Sequence, residues 1–349
     1  MKINYIIPFN ILTGGIRVAF LYGNYLSTKG HDIIFYIPLI PYKTNKNFLQ
    51  CVKFFLGNIK RGTKVSWLKC NFKIKIVPLI KNNFIRDADI TIATSWPTSF
   101  DVYNLNDKKG KKVYFIQDYE IWYGKEEVVN STYTLDFNRV VITKKLQKLL
   151  KTKFNVESKV IYNGLNKNEF INGEKKDTKN KTILMLYNEA SNKGTEEGIK
   201  ILRNIKNKYD VKIVLFGFKK GDNIPQDFEF YENPERNVLM KLYREASIYL
   251  FPSKNESWGM PVMEAMSNKC AVVGNNVGCL EEVGIDGYNC LRVNDLDYND
   301  MQIKIERLLN DKELLKKIQE NAYTTSKKFV WENSFLQMEK YFQNLINGR

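Results

Sequence analysis

In 349 residues there are only five cysteines and one histidine. Cys51, Cys70, Cys270, Cys279 and Cys290 are odd in number and include no Cys-x-x-Cys pair. Neither a disulfide framework nor a zinc site is therefore expected, and a reducing cytoplasm fits. No apolar run approaches the ~18 residues of a membrane span. Lys2 leads directly into the strand-like Ile3-Asn4-Tyr5-Ile6-Ile7-Pro8-Phe9, with no signal-peptide pattern. The expectation is a chain neither secreted nor membrane-spanning.

Acidic side chains are missing altogether from Ile33 to Arg86. That stretch holds eleven basic ones (Lys43, Lys46, Lys53, Lys60, Arg61, Lys64, Lys69, Lys73, Lys75, Lys81 and Arg86), interleaved with Phe48, Phe54, Phe55, Trp67, Phe72 and Phe84. Part of the formal net charge of +16 is thus concentrated near the N-terminus, and the basic stretch from Lys144 to Phe154 adds to it. A basic surface with apolar anchors suits an anionic membrane leaflet. Nucleic acid is the competing partner of a basic protein, but no nucleic-acid motif is present, so none is expected to bind.

What the chain does have is alternation. Short apolar runs separated by amphipathic stretches are the rhythm of βαβ units and parallel sheets, and the length exceeds what one hydrophobic core usually serves. Strands are predicted at 30–37, 88–93, 112–116 and 140–142, and Ile16 to Leu26 reads as a helix behind the turn Thr13-Gly14-Gly15. The polar segment from Asn163 to Thr182 reads as an inter-domain connection. Beyond it come a strand at 183–187, a helix at 195–208 and a strand at 211–216. A last helix at 332–346 places Phe335, Met338, Phe342 and Leu345 at helical spacing. The division expected is 1–162, 163–330 and a terminal helix 331–349.

The most specific local pattern is Glu256 and Glu264, framed by the strand-like Ile248-Tyr249-Leu250-Phe251-Pro252 and by Gly259-Met260-Pro261. Pro261 suits the first turn of a helix. Strand, loop and helix start would aim backbone N–H groups from Gly259 to Val262 at an anion. Two carboxylates beside such a site are placed to accept hydrogen bonds from sugar or ribose hydroxyls. Lys193, in Asn192-Lys193-Gly194 at another helix start, opposes the helix dipole, which makes sense if it binds pyrophosphate.

The Glu-x7-Glu signature, the Lys193-Gly194 turn and Asn163-Gly164 resemble the retaining GT4-type glycosyltransferases of the GT-B fold. The resemblance implies an α/β chain with two Rossmann-like domains facing across a cleft and a C-terminal helix crossing back to the first domain. It implies that Glu256 lies near the donor sugar, that Glu264 binds the ribose, and that Lys193, Trp258, Gly259 and Met260 meet the donor diphosphate. Gly14 and Gly15 would approach the diphosphate and the acceptor. Two departures stand out. Asn188 and Tyr187 replace an arginine common before the lysine, with Arg17 or Lys219 as candidate substitutes, and Gln117 replaces a frequent histidine. Gln117-Asp118-Tyr119-Glu120 resembles the rhamnosyltransferase-like branch, with Asp118 a catalytic candidate; the other reading is that Asp118 and Glu120 cap a helix. His31 is read as structural. Asp87-Ala88-Asp89 has the spacing of a metal-binding pair but precedes a strand, and is read as a strand entrance.

The function expected is a retaining transfer of a sugar from a nucleotide-sugar donor, UDP- or dTDP-linked and rhamnose among the candidates, with no metal or other cofactor. The acceptor expected is a membrane-associated glycan or lipid-linked molecule of cell-surface polysaccharide synthesis, met at the inner face of the cell membrane. A sugar-nucleotide epimerase of the same architecture, or a non-catalytic basic binding protein on a transferase scaffold, are the other readings.

Overall fold

The computed structural model describes residues 1–42, 48–65, 67–175 and 180–348. Lys43, Lys46 and residues 176–179 lie outside the described residues, as do the side chains of Phe48, Cys51, Phe54 and Arg61. The chain forms two compact units, Met1–Asn163 with Glu332–Arg349, and Gly164–Trp331.

In the first unit the described residues form β1 (Lys2–Ile6), β2 (Asp32–Pro38), β3 (Lys73–Val77), β4 (Ile90–Ala93), β5 (Lys111–Ile116), β6 (Asn138–Val141) and β7 (Lys159–Val160). They make one parallel sheet in the order β3-β2-β1-β4-β5-β6-β7. Ile3, Tyr5, Ile33, Phe35, Ile90, Ile92, Val113 and Phe115 are buried, as expected where helices cover both faces of a parallel sheet. The helix Gly14–Thr28 follows β1 and is capped by the Thr13 hydroxyl, which accepts from the Ile16 N–H at 3.3 Å. Gly14 and Gly15 are thus the first residues of the helix rather than the turn before it.

An aromatic cluster fills the flank of this sheet. Phe20 stacks on Trp67 at 5.3 Å and meets Phe72 edge-on at 5.1 Å, while Phe72 lies 4.4 Å from Phe35. Trp67 and Phe72, expected among the anchors of a basic surface, therefore belong to the packing of the domain. Sequence reading placed no element between Ile37 and Ala88. The helix Phe48–Arg61 and β3 lie there.

The terminal helix Trp331–Ile346 belongs, from Glu332 onward, to the first unit. Phe335 stacks on Tyr25 at 4.7 Å, the Ser334 hydroxyl donates to the Tyr162 carbonyl at 2.7 Å, and Glu339 lies 2.8 Å from His31 Nε2. His31 is thus a structural tie. Asp89 accepts from the Lys2 N–H at 2.6 Å and Asp87 pairs with Lys109 at 2.8 Å, so both carboxylates serve the entrance to β4.

The second unit holds, among the described residues, β8 (Lys181–Tyr187), β9 (Val211–Gly217), β10 (Glu229–Glu232), β11 (Ile248–Phe251), β12 (Ala271–Asn275) and β13 (Leu291–Val293). Their parallel order is β10-β9-β8-β11-β12-β13. Ile183, Met185, Leu250 and Val273 centre its core with Leu202, Ile205 and Met301 from the helices. The start of this unit corrects the sequence reading of a connection. Leu165, Phe170 and Ile171 are buried, because these apolar side chains pack where a solvated connection would expose them. Leu165 also bridges to Val330 in parallel. A Cβ on Gly164 would stand 2.3 Å from the Trp331 nitrogen, so only glycine lets the strand entering the unit pass the one leaving it.

Candidate active site

In both sheets the strand order reverses once, between β1 and β4 and between β8 and β11. Loops at the carboxyl ends of strands flanking such a switch point are where open α/β sheets bind ligands. In the second unit those loops carry Lys193, after β8, and Glu256, after β11.

The local chemistry forces them together. After β8 the Thr195 hydroxyl donates to the Asn188 carbonyl at 2.6 Å and accepts from the Asn188 N–H at 3.2 Å, closing the loop. Ser191–Lys193 is one 3-10 turn, and Gly194 follows at φ 63°. A Cβ on Gly194 would lie 2.1 Å from the Pro252 carbonyl oxygen, so glycine is required for the two loops to touch. Lys254 N–H then donates to Asn192 O at 2.7 Å. The result is an ion pair between Lys193 Nζ and Glu256 Oε1 at 2.5 Å, with the side chains 22% and 18% exposed. A charge-assisted contact of this kind fixes both groups while leaving them accessible.

Past Glu256 the chain turns through Gly259 at φ 87°, the cap of the helix Met260–Ser267 with Pro261 in its first turn. The expected row of amide donors is shorter than the sequence reading had it. The Val262 N–H donates to the Gly259 carbonyl at 3.0 Å, because the first turn closes on itself, and Pro261 has no N–H. Trp258 does not offer its ring: it is 3% exposed and packs 5.8 Å from Phe329. Its carbonyl accepts from the Cys279 N–H, and a Cβ on Gly278 would meet that carbonyl at 2.6 Å and the Glu256 Cβ at 2.9 Å. The Glu256 loop is thus wedged between Gly194 and Gly278.

Glu264, on the same helix, is 4% exposed. Its Oε1 lies 2.8 Å from Arg236 Nη1. The same guanidinium grips Glu169 through Nε at 2.8 Å and Nη2 at 2.6 Å. Burial works against the Arg236 charge, but the Glu169 hydrogen bond and the two carboxylates outweigh it and hold its pKa above the ordinary arginine value. Arg236 and Glu169 were not found by sequence reading. They stand 67 residues apart, and nothing local marks either one.

In the first unit Gln117, just past β5, donates from Nε2 to the Gly15 carbonyl at 3.0 Å. A Cβ on Gly15 would press on that amide at 3.3 Å, whereas Gly14 has open space. Arg17 is half-buried on the same helix, with no acidic partner among the described residues. Asp118 accepts from the Tyr119 N–H at 2.8 Å. Glu120 accepts from the Trp96 N–H at 2.7 Å and so caps the helix Trp96–Tyr103. Burial pushes the half-buried Glu120 carboxyl up to about 8, the Trp96 N–H opposes this, and the Asp118 charge adds to the rise. At the position of the missing arginine, Tyr187 is buried and its hydroxyl donates to Asn223 Oδ1 at 2.8 Å. Lys219 is exposed beyond β9.

A family model described as glycosyl transferases group 1 matches residues 166–325, nearly the whole second unit. The second unit is therefore similar to group 1 glycosyl transferase domains. An uncharacterized glycosyltransferase of Methanocaldococcus jannaschii is 29% identical over 223 residues, 59% of this chain and 59% of that protein. The serotype-specific mannosyltransferase WbdA of Escherichia coli is 33% identical over 96 residues, 28% of this chain and 12% of that protein. The chain therefore spans less than two thirds of either of these curated relatives. Among solved structures, sucrose-phosphate synthase from Thermosynechococcus elongatus superposes with a TM-score of 0.76 at 14% identity, over 100% of both chains. HepE of Anabaena, solved with UDP-glucose, gives 0.73 at 13% identity over 99% of this chain and 100% of that one. The fold is the two-Rossmann-domain GT-B fold of glycosyltransferases.

Proposed function

We propose that the protein is a glycosyltransferase that takes a sugar from a nucleotide-sugar donor and retains its anomeric configuration. The observation that carries this reading is the Lys193 to Glu256 ion pair, formed by the two switch-point loops beside the Gly259 helix end. Lys193 and the donors at that helix end would offset the charge that grows on a departing diphosphate, where preorganised electrostatics act most strongly. Glu256 would lie at the donor sugar, and Glu264, held by Arg236, at the ribose. Gly14 and Gly15 would approach the donor diphosphate and the acceptor, Arg17 and Gln117 would lie on the acceptor side, and Asp118 is the catalytic candidate of the first unit. No metal is required in this reading, since the lysine and the helix end supply the positive charge. A UDP- or dTDP-sugar is the donor class, with a deoxysugar such as rhamnose among the candidates from the Gln117-Asp118-Tyr119-Glu120 pattern. UDP-glucose in the HepE structure supports the nucleotide class.

The acceptor proposed is a glycan or lipid-linked molecule of cell-surface polysaccharide synthesis, reached at the cytoplasmic face of an anionic membrane. The mannosyltransferase WbdA, and a capsular polysaccharide biosynthesis glycosyltransferase of Staphylococcus aureus 26% identical over 169 residues, support that setting. Calorimetry with a panel of nucleotides, followed by product analysis with and without acceptor and with a chelator, tests the whole reading. Micromolar binding of one nucleoside diphosphate and an α-to-α or β-to-β product support it. Donor conversion without acceptor would make the protein an epimerase, and no nucleotide binding would leave only a binding protein.

A further inference from the structure

The helix Phe48–Arg61 turns an apolar face outward. Leu49, Val52, Leu56 and Ile59 are 70, 38, 57 and 54% exposed. Asn58 sits roughly half a turn round from Leu49 at 3.6 residues per turn, is 3% exposed, and donates from Nδ2 to the Pro38 carbonyl at 3.3 Å. The Asn58 face is therefore the one seated on the domain, and the four apolar side chains point the other way. Lys53 and Lys60 stand about 40° round the helical wheel from Leu49 and Leu56 respectively, and both are exposed. Lys64 and Lys69 are exposed just beyond the helix, which ends as the Gly62 N–H donates to the Asn58 carbonyl at 3.0 Å. Among the described residues no acidic side chain pairs with Lys53, Lys60, Lys64 or Lys69.

We infer that this helix lies in the interface of an anionic membrane, with Leu49, Val52, Leu56 and Ile59 inserted among the acyl chains and the flanking lysines at the headgroups. The inference rests on the membrane reading above and deepens it. Charge alone would give adsorption that salt removes, whereas an inserted apolar face leaves a part that salt does not remove. Four exposed aliphatic side chains on one face are costly to keep in water, and long lysine side chains beside them reach the headgroups while their stems stay in the apolar layer. An anionic bilayer matches both features at once: it offers negative charge above and hydrocarbon below, and the segment from Ile33 to Arg86 carries no acidic side chain to oppose it. No helix among the described residues is long and apolar enough to cross a membrane, so the helix lies in the surface.

The test is sedimentation of the full chain with vesicles of phosphatidylcholine and phosphatidylglycerol, at low salt and at roughly 0.15 M, where the Debye length is about 8 Å. The wild type should bind at both, and its binding to phosphatidylcholine alone should be far weaker. Leu49→Gln with Leu56→Gln and Ile59→Gln should lower partition about tenfold or more at the higher salt while retaining part of the low-salt binding. Lys53→Glu with Lys60→Glu should abolish the low-salt gain. Equal partition of the triple variant and the wild type would overturn insertion. So would equal binding to neutral and anionic vesicles, or none to either. Self-association of the wild type without lipid, lost in the triple variant, would overturn it too by showing that a second copy covers the face. Nucleotide affinity of the same preparations, measured without lipid, reports separately on the transferase reading, and circular dichroism checks that the variants fold.

Discussion

Two charged regions of this protein are built on opposite plans. In the second unit the candidate site matches its cations with carboxylates across long stretches of chain: Lys193 with Glu256, Lys254 with Glu197, and Arg236 with both Glu169 and Glu264. On the flank of the first unit Lys53, Lys60, Lys64 and Lys69 have no acidic partner among the described residues and stand beside exposed aliphatic side chains. Pairing fixes a charge in one geometry, which a small ligand with a defined diphosphate and ribose requires. Unpaired surface charge fixes nothing, and suits a partner that is itself a laterally mobile field of charge. The difference shows that a net charge of +16 does not describe one property of this chain.

The comparison breaks first at Arg236. Arg236→Ala would leave Glu264 and Glu169 without their common cation, and removing one partner of a buried pair typically costs about 3 kcal/mol or more. Thermal unfolding of the second unit should show a clear fall in Tm, together with weaker donor binding. By contrast, Lys60→Ala on the flank should change stability by no more than about 0.5 kcal/mol. If Arg236→Ala unfolds like the wild type, the paired plan is decorative.

Lys193 sharpens it next. Lys193→Ala should weaken nucleoside-diphosphate binding by about 1.5–3 kcal/mol, the range for a hydrogen bond to a charged group, while the fold stays intact. Unchanged affinity by calorimetry would remove the lysine from the diphosphate site. Glu256→Gln keeps the shape of the ion pair but not its charge. It should lower kcat more than it raises the donor KM, since a contact at the reacting sugar counts most in the transition state, and steady-state kinetics separate the two. Full turnover in that variant would move Glu256 away from the sugar.

Glu120, in the first unit, is half-buried and has no cationic partner among the described residues. Glu120 titrates at about 8 in the folded state, above its ordinary value of roughly 4.3. Folding therefore favours the protonated form, so its contribution is fully present below the ordinary value and is lost as pH rises toward 8. Unfolding at pH 5 and pH 8 should show the wild type losing on the order of 2 kcal/mol over that interval, allowing for its partial contact with water. Glu120→Gln should flatten this slope and be the more stable of the two at pH 8. An unchanged slope would mean that the carboxyl is already ionised at neutral pH.

Much of the frame was legible because periodicity and local chemistry carried it. The apolar run 248–252, Pro261 in the first helical turn and the glycine after Lys193 each act within a few residues, and strand, helix and loop fall where those signals put them. What escaped depended on pairs far apart in sequence. Arg236 meets its carboxylates only through the packing of separate elements, and no spacing rule joins them. Trp67 and Phe72 were misread for the same reason: their setting is that of an anchor set, but they find Phe20 and Phe35. The exposed apolar side chains described on the helix Phe48–Arg61, Leu49, Val52, Leu56 and Ile59, are aliphatic, and their amphipathic period lies inside a stretch dominated by its lysines.

The smallest effect separates structure from ligand at Gly14. This glycine is the first residue of its helix, has ordinary helical backbone and open space where a Cβ would go, so Gly14→Ala meets no steric obstacle within the protein. Alanine limits the unfolded chain and favours helix, which should raise stability by up to about 0.5–1 kcal/mol. A glycine that the fold does not require, at the switch point of the first sheet, points to a ligand that needs the backbone bare. Gly14→Ala should therefore fold at least as well as the wild type and lose turnover several-fold, because the added methyl would meet donor or acceptor. Gly15→Ala would be less informative, since its Cβ presses on Gln117 at 3.3 Å and perturbs the protein itself. If Gly14→Ala keeps full turnover and KM for both substrates, the start of this helix is an ordinary helix start, and the candidate site rests on the second unit's paired charges alone.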